Sequence, residues 1–263
     1  IIVQSGNDSS VALAEHLYGS EESFVEQMNF TAKNLQMTNT RFGNVTGLPD
    51  RGTYVTARDM TKLSRSLIEN FPDIYKRFSL RSYEYNSIKQ KNRNALLFRN
   101  SSVDGVKTGY TESAGYCLVS SSKKKSVRLI AAVMGAKSNS MRVRDSKALL
   151  AYGFRFFETI KLYDAGEEIA SAKVWGGESE SVSTGVKEPI FLTAAKGDIE
   201  KYEIITEFFE PLRAPIKEGE IIGRIEFGLP NEEKKSTDLL ALESVRKASF
   251  FKSLNDEIRL FFK

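Results

Sequence analysis

The stretch Val103-Asp104-Gly105-Val106-Lys107-Thr108-Gly109-Tyr110 decides how this chain is read. It predicts a strand that carries a lysine, a threonine and a glycine in succession. Two more strands follow, Gly115 to Ser121 and Val127 to Gly135, joined by Ser122-Lys123-Lys124-Lys125. That lysine run reads as a solvated hairpin turn, with an anion-binding patch as the lesser alternative. About a hundred residues upstream, Ser5-Gly6-Asn7 opens a helix. On ordinary residue usage Lys-Thr-Gly alone turns up by chance in about one chain of this length in ten. Order, spacing and local structure together carry more than either triplet.

Working outward, Ser9 or Ser10 is expected to cap a helix that Gly19 ends after Tyr18. Ser20, with Glu21 and Glu22 at the positive end of the helix dipole, starts another that runs through Phe24, Met28 and Leu35. A turn-rich stretch from Thr38 to Tyr54 follows. Thr56-Ala57-Arg58-Asp59 then reads as a capping box, and its helix places Met60, Leu63, Leu67 and Ile68 on one face, bounded by Pro72. Asn86 to Asn94 is a polar run. Beyond the three strands, a helix from about Arg144 to Phe157 is expected to present Leu149, Leu150, Phe154 and Phe157 to the core.

From about Leu162 the texture changes to short alternating apolar segments separated by Gly, Pro, Asp and Asn, the rhythm of a small all-β domain. At the end, Phe250, Phe251, Leu254, Ile258, Phe261 and Phe262 fall in an arc of about 120° on a helical projection. Packing on the β-domain is one reading. The favoured one is a helix lying in a membrane surface. The expected division is therefore 1–160, 161–246 and 247–263.

With 263 residues, 41% hydrophobic and 27% charged, the composition is that of a soluble globular protein. No apolar run reaches the roughly 18–20 residues of a membrane-spanning helix. A net charge of +4 mildly favours anionic surfaces but is far too weak to argue for nucleic acid, and no nucleic-acid partner is expected. The single cysteine, Cys117, excludes an internal disulfide and sits in an apolar run, where a buried small hydrophobe is expected. A Ser-His-Asp triad would need the single histidine, His16, which lies within a helical run. One histidine also excludes histidine-rich metal catalysis. The opening Ile1-Ile2-Val3-Gln4 has no signal-peptide character and looks like the end of a segment cut from something longer.

Ser5-Gly6-Asn7 and Lys107-Thr108-Gly109 are two of the three signatures of serine acyl-transfer enzymes acting on D-alanyl peptides and β-lactams. The chain resembles the low-molecular-mass penicillin-binding proteins that are D-alanyl-D-alanine carboxypeptidases. Gln4 to Asp8, Ala57 to Met60, Asn92-Arg93-Asn94, Val103 to Gly109, Ala132 to Gly135 and Gly153 to Glu158 match the family, as do the β-domain and the amphipathic tail. The resemblance implies an α/β (α+β) penicillin-binding-protein/β-lactamase-like transpeptidase fold, incomplete at its N-terminus, then a small all-β domain and the terminal helix. It implies removal of the terminal D-alanine from peptidoglycan stem pentapeptides through a serine acyl-enzyme, inhibition by β-lactam antibiotics and no cofactor. The expected location is the periplasmic face of the bacterial inner membrane.

A serine hydroxyl needs an adjacent base, and a lysine serves when burial and a neighbouring cation lower its pKa. On this resemblance Lys107 is that neighbouring cation and attracts the substrate's terminal carboxylate. Asn7 bonds the substrate amide, and Ser5 relays a proton to the leaving amine. Thr108 and Gly109 bind the substrate in extended form, and the N–H of Tyr110 is the oxyanion donor. Arg142 is the arginine near the carboxylate end. Arg93 lies in a matching stretch, as a binding or structural residue.

The third signature, Ser-x-x-Lys, occurs only at Ser120/Lys123, Ser121/Lys124, Ser122/Lys125, Ser244/Lys247 and Ser249/Lys252, all downstream of Ser5. These read as accidents of composition. The nucleophile is expected on an upstream segment, and the 263 residues alone are expected to form no acyl-enzyme. Two alternative readings remain. A class A β-lactamase lacks support, since no Glu-x-x-Leu-Asn occurs. A binding module without hydrolysis is opposed by the joint presence of Ser5, Asn7, Lys107 and Thr108.

Overall fold

The computed structural model describes residues 1–125, 127–231, 234–250, 252, 253, 256 and 259. It divides into two units, Ile1–Arg155 and Phe156–Lys263.

In the first unit, α1 (Asn7–Tyr18) and α2 (Glu21–Asn34) precede α3 (Ala57–Asn70) and the short α4 (Pro72–Tyr75). A small hairpin, β1 (Ser82–Tyr85) and β2 (Ile88–Lys91), leads to α5 (Leu96–Arg99). Then come β3 (Val103–Thr111), β4 (Gly115–Lys124), β5 (Val127–Ala136) and α6 (Asn139–Phe156). The three strands form an antiparallel sheet in the order β3-β4-β5. Alternation along the strands sends neighbouring residues to opposite faces. Leu118 and Ala131 join Leu96, Leu97, Val103, Val143 and Leu150 on one side. Val119 joins Val106 and Tyr75 on the other, with Met60, Leu67 and Ile68 of α3 packed against them. The sheet is thus a middle layer between α5–α6 and α3–α4.

Several local expectations change. Gly6, not Ser9 or Ser10, is the N-cap of α1, and the Ser10 hydroxyl donates to the Gly6 carbonyl at 2.9 Å. The helix can start this early because Ser5, at φ 57°, turns the chain directly ahead of it. Ser20 and Thr56 cap α2 and α3 as read, accepting from the N–H groups of Ser23 and Asp59. The Asp59 carboxylate, however, accepts from Asn39 N–H and the Thr40 hydroxyl, so the Thr38–Thr40 turn takes the acid of the box. The polar run 86–94 holds strand β2, all four of whose residues are exposed. α6 begins five residues earlier than Arg144 and buries Arg142, Val143, Ser146 and Leu150, while Leu149 is 49% exposed and Phe157 begins a strand. Cys117 is half-buried rather than core.

The second unit is built mainly of β-strands, with a short 3-10 turn at Ile199–Lys201. Strands β6 (Phe157–Tyr163) and β9 (Ile190–Ala195) pair with each other. Strands β7 (Ala170–Trp175), β8 (Ser181–Gly185), β10 (Glu203–Phe208), β11 (Leu212–Arg213), β12 (Ile221–Gly228) and β13 (Lys235–Ala241) form a second sheet in the order β10-β12-β13-β8-β7-β11. Two apolar clusters, around Val174 and Ile222 and around Ile225 and Leu239, form its core. Of the expected terminal apolar face, Phe251, Leu254, Ile258, Phe261 and Phe262 lie outside the described residues. Phe250 is 75% exposed, and Lys252 and Asp256 bond the backbone at Glu178 and Gly176. No helix among the described residues is long and apolar enough to cross a membrane.

Candidate functional site

Lys107 lies near the middle of β3, opposite Val119 of β4. β3 is an edge strand, so its outer backbone groups have no strand partner among the described residues. The Lys107 ammonium donates to the Ser5 hydroxyl and, at 3.1 Å, to the Thr108 carbonyl. Two triplets a hundred residues apart in the chain therefore meet at one nitrogen. The segment that delivers Ser5 is itself held in place. The Arg93 N–H donates to the Val3 carbonyl at 3.3 Å, the Gln4 amide donates to the Lys91 carbonyl at 2.7 Å, and the Arg93 guanidinium reaches the Gln4 side-chain oxygen at 3.4 Å.

Arg142, in the first turn of α6, is only 6% exposed. Its Nη1 donates to the carbonyls of Gly109 (2.9 Å) and Cys117 (3.1 Å), which face each other across the ladder, and its Nε donates to Asn139 Oδ1 at 2.9 Å. The guanidinium also lies 5.4 Å from the centre of the Tyr116 ring, and the Tyr110 ring packs on Tyr116 at 4.3 Å. Arg142 thus ties down the far end of β3 through the backbone. Asn7, the first residue of α1, is exposed two residues after Ser5; Tyr110 is exposed at the far end.

Lys107 is half-buried, and burial followed by the charges of Arg93 and Arg142 lowers its pKa from 10.5 to about 8. At pH 7 about a tenth of such a group is neutral. Three cations with a hydroxyl on the first of them make a site for an anionic group, with a lysine able to exchange a proton with Ser5. Burial also pulls the Arg142 pKa down, though an arginine remains charged. Residues Lys107 to Thr111 of β3 border a cavity of about 960 Å³ that Phe42, Leu48, Pro49, Tyr54 and Met60 also line. No cluster of metal-ligating side chains occurs among the described residues.

Ser5, Lys107, Thr108, Gly109 and Arg142 therefore converge, with Arg93 acting through charge and Gln4. His16 is exposed in the last turn of α1. The three internal Ser-x-x-Lys serines of the first unit offer no nucleophile here. Ser120, Ser121 and Ser122 are fully buried and bonded to Ala131, Arg128 and Ser102, and Ser244 accepts from Glu218 in the β-domain. Sequence reasoning overlooked Gln4, Asn139 and Tyr116. Gln4 adjoins a recognised triplet and could have been flagged; the other two follow only from where α6 begins and how β3 and β4 pair.

Comparison with known proteins matches residues 1–138 to the D-alanyl-D-alanine carboxypeptidase family and 157–247 to the C-terminal domain of penicillin-binding protein 5. The chain is 39% identical to D-alanyl-D-alanine carboxypeptidase DacC of Escherichia coli K12, over all of this chain and 66% of that protein. It is 36% identical to DacF of Bacillus subtilis, over 95% of this chain and 66% of that one. The chain thus spans just under two thirds of the length of these curated relatives. The crystal structure of penicillin-binding protein 5 from Haemophilus influenzae superposes with a TM-score of 0.81 at 39% identity, covering 92% of this chain and 72% of that one.

Proposed function

Because this chain belongs to the D-alanyl-D-alanine carboxypeptidase family, we propose that it forms the substrate-binding side of a serine-type, penicillin-sensitive site that removes the terminal D-alanine from peptidoglycan stem pentapeptides. One observation carries the reading: Lys107, with its pKa lowered to about 8, donates to the Ser5 hydroxyl beneath an open strand edge. An extended peptide adds to such an edge through its backbone while its C-terminal carboxylate meets Lys107 and the field of Arg93 and Arg142. As the amide bond breaks, a proton passes through Ser5 to the leaving amine, with Lys107 as the group that shares it. Asn7 holds the penultimate amide, and the Tyr110 N–H stabilises the oxyanion.

The nucleophilic serine and its lysine base come from a Ser-x-x-Lys segment outside these residues, a reading supported by the burial of Ser120, Ser121 and Ser122 within the first unit. The proposed setting is the periplasmic face of the inner membrane, with the phenylalanine-rich terminus on the lipid surface. Liposome co-sedimentation of the whole chain against a version ending at Lys247 tests that anchor; equal binding contradicts it.

Titrating the chain with a diacyl-L-Lys-D-Ala-D-Ala peptide, followed by amide NMR, tests the site. The expected result is shifts at Lys107 to Tyr110 and binding at least tenfold weaker for the C-terminally amidated peptide, in line with loss of a charged bond. Equal affinity for acid and amide contradicts the assignment.

A further inference from the structure

Behind the exposed site, four residues from four elements close on one another. Asp104 lies in β3, Ser121 in β4, Arg128 in β5 and Tyr75 at the end of α4. Arg128 grips the Asp104 carboxylate with both nitrogens, at 2.9 and 2.7 Å, and donates to the Ser121 hydroxyl at 2.6 Å. The Tyr75 hydroxyl donates to Asp104 at 2.8 Å, and the Arg128 guanidinium stands 5.4 Å from the centre of the Tyr75 ring. The Arg128 pKa is raised, with the Asp104 bond opposing the cost of burial, and burial raises that of Tyr75.

The location of this cluster gives it a consequence. The β3–β4 register shifts between Val103 and Gly105, so Asp104 is the residue at which the ladder changes phase. A shift of one residue sends every later side chain to the other face. Lys107 comes three residues later, and its approach to Ser5 depends on that phase. Gly105 fits because the Tyr75 hydroxyl stands 2.5 Å from where a Cβ would lie. The Gly105 carbonyl in turn accepts from buried Asn94 at 3.3 Å, next to Arg93, one of the charges that depress Lys107.

We propose that Tyr75, Asp104 and Arg128 are positioning residues that lock the register of β3 and so hold Lys107 against Ser5. The inference deepens the proposed function, because it concerns the same lysine, but its test needs neither substrate nor turnover.

The test is the pH dependence of reductive methylation of the whole chain, quantified for each lysine by mass spectrometry. The midpoint reports the proton equilibrium separately from accessibility. In Asp104→Asn the Lys107 midpoint is expected to rise by about one pH unit or more, a tenfold change in neutral fraction, while exposed Lys89 on β2 does not move. In Tyr75→Phe, which keeps the ring, the rise is smaller, about half a unit, with an unchanged circular dichroism spectrum. A Lys107 midpoint within about 0.2 units of the parent in folded Asp104→Asn overturns the proposal, as does an equal shift at Lys89. Should Asp104→Asn not fold, Tyr75→Phe decides on the same measurement, and an unmoved midpoint there overturns it.

Discussion

Between Val103 and Val106, β3 is largely buried, bonded through Asp104 to two other elements and packed on both faces. From Lys107 to Thr111 the same strand is half-buried or exposed and carries the depressed lysine on an open edge. One half spends its contacts on being held; the other spends few and leaves its polar groups available. A reactive group can be kept partly desolvated and aimed only if the strand beneath it cannot slide. A site of this kind is accordingly built next to a rigid anchor.

Substitutions can break that contrast from either side. Leu118, cross-strand from Thr108 and fully buried, supports the open half from beneath. Leu118→Ala is expected to cost about 2–5 kcal/mol in denaturant unfolding of the first unit. Next comes Lys107→Met in a chimera that supplies a Ser-x-x-Lys segment from a full-length relative. The rate of penicillin acylation there is expected to fall about 10²–10³-fold, as when a preorganised electrostatic partner is removed.

A pair of glycine substitutions sharpens the contrast within one strand. Gly105→Ala places a methyl against the Tyr75 hydroxyl and is expected to cost about 1–3 kcal/mol. Gly109→Ala meets nothing closer than Cys117 Cβ at 3.8 Å and is expected to cost less than about 0.5 kcal/mol. Equal costs in chemical denaturation would erase the distinction between the halves.

The smallest effect is pH-dependent. The unfolded chain holds the Lys107 proton up to about 10.5, the folded chain only up to about 8, so folding carries a penalty below pH 8 that fades as pH rises toward 10.5. Lys107→Met is therefore expected to melt about 2–4 °C higher than the parent at pH 7, with the difference shrinking by pH 10. A difference that grows with pH contradicts the lowered pKa.

The sequence exposed the open half of β3 well and the anchored half poorly. Lys107-Thr108-Gly109 and Ser5-Gly6-Asn7 were legible because their order and local periodicity are specific, and the caps at Ser20 and Thr56 because capping is a local interaction. The Asp104–Arg128–Tyr75 cluster was not, because it joins residues 24 and 29 apart in the chain through a register shift that no local pattern signals. Hairpin β1–β2 escaped for the opposite reason: nearly all its residues face solvent, so no alternation marks it. Arg142 was found only by resemblance. Its burial and its bonds to two strand carbonyls depend on α6 beginning at Asn139, ahead of where the apolar pattern starts.

The central claim is that these residues form the substrate-binding side of a site whose nucleophile is supplied from elsewhere. Incubation with a fluorescent penicillin, followed by denaturing electrophoresis and peptide mapping, tests it most directly. The account predicts no covalent adduct on the 263 residues alone, and in the chimera an adduct on the supplied serine that forms about 10²–10³-fold more slowly with Lys107→Met. A denaturation-resistant adduct on the 263-residue chain, at Ser5 or any other of its serines, would contradict it.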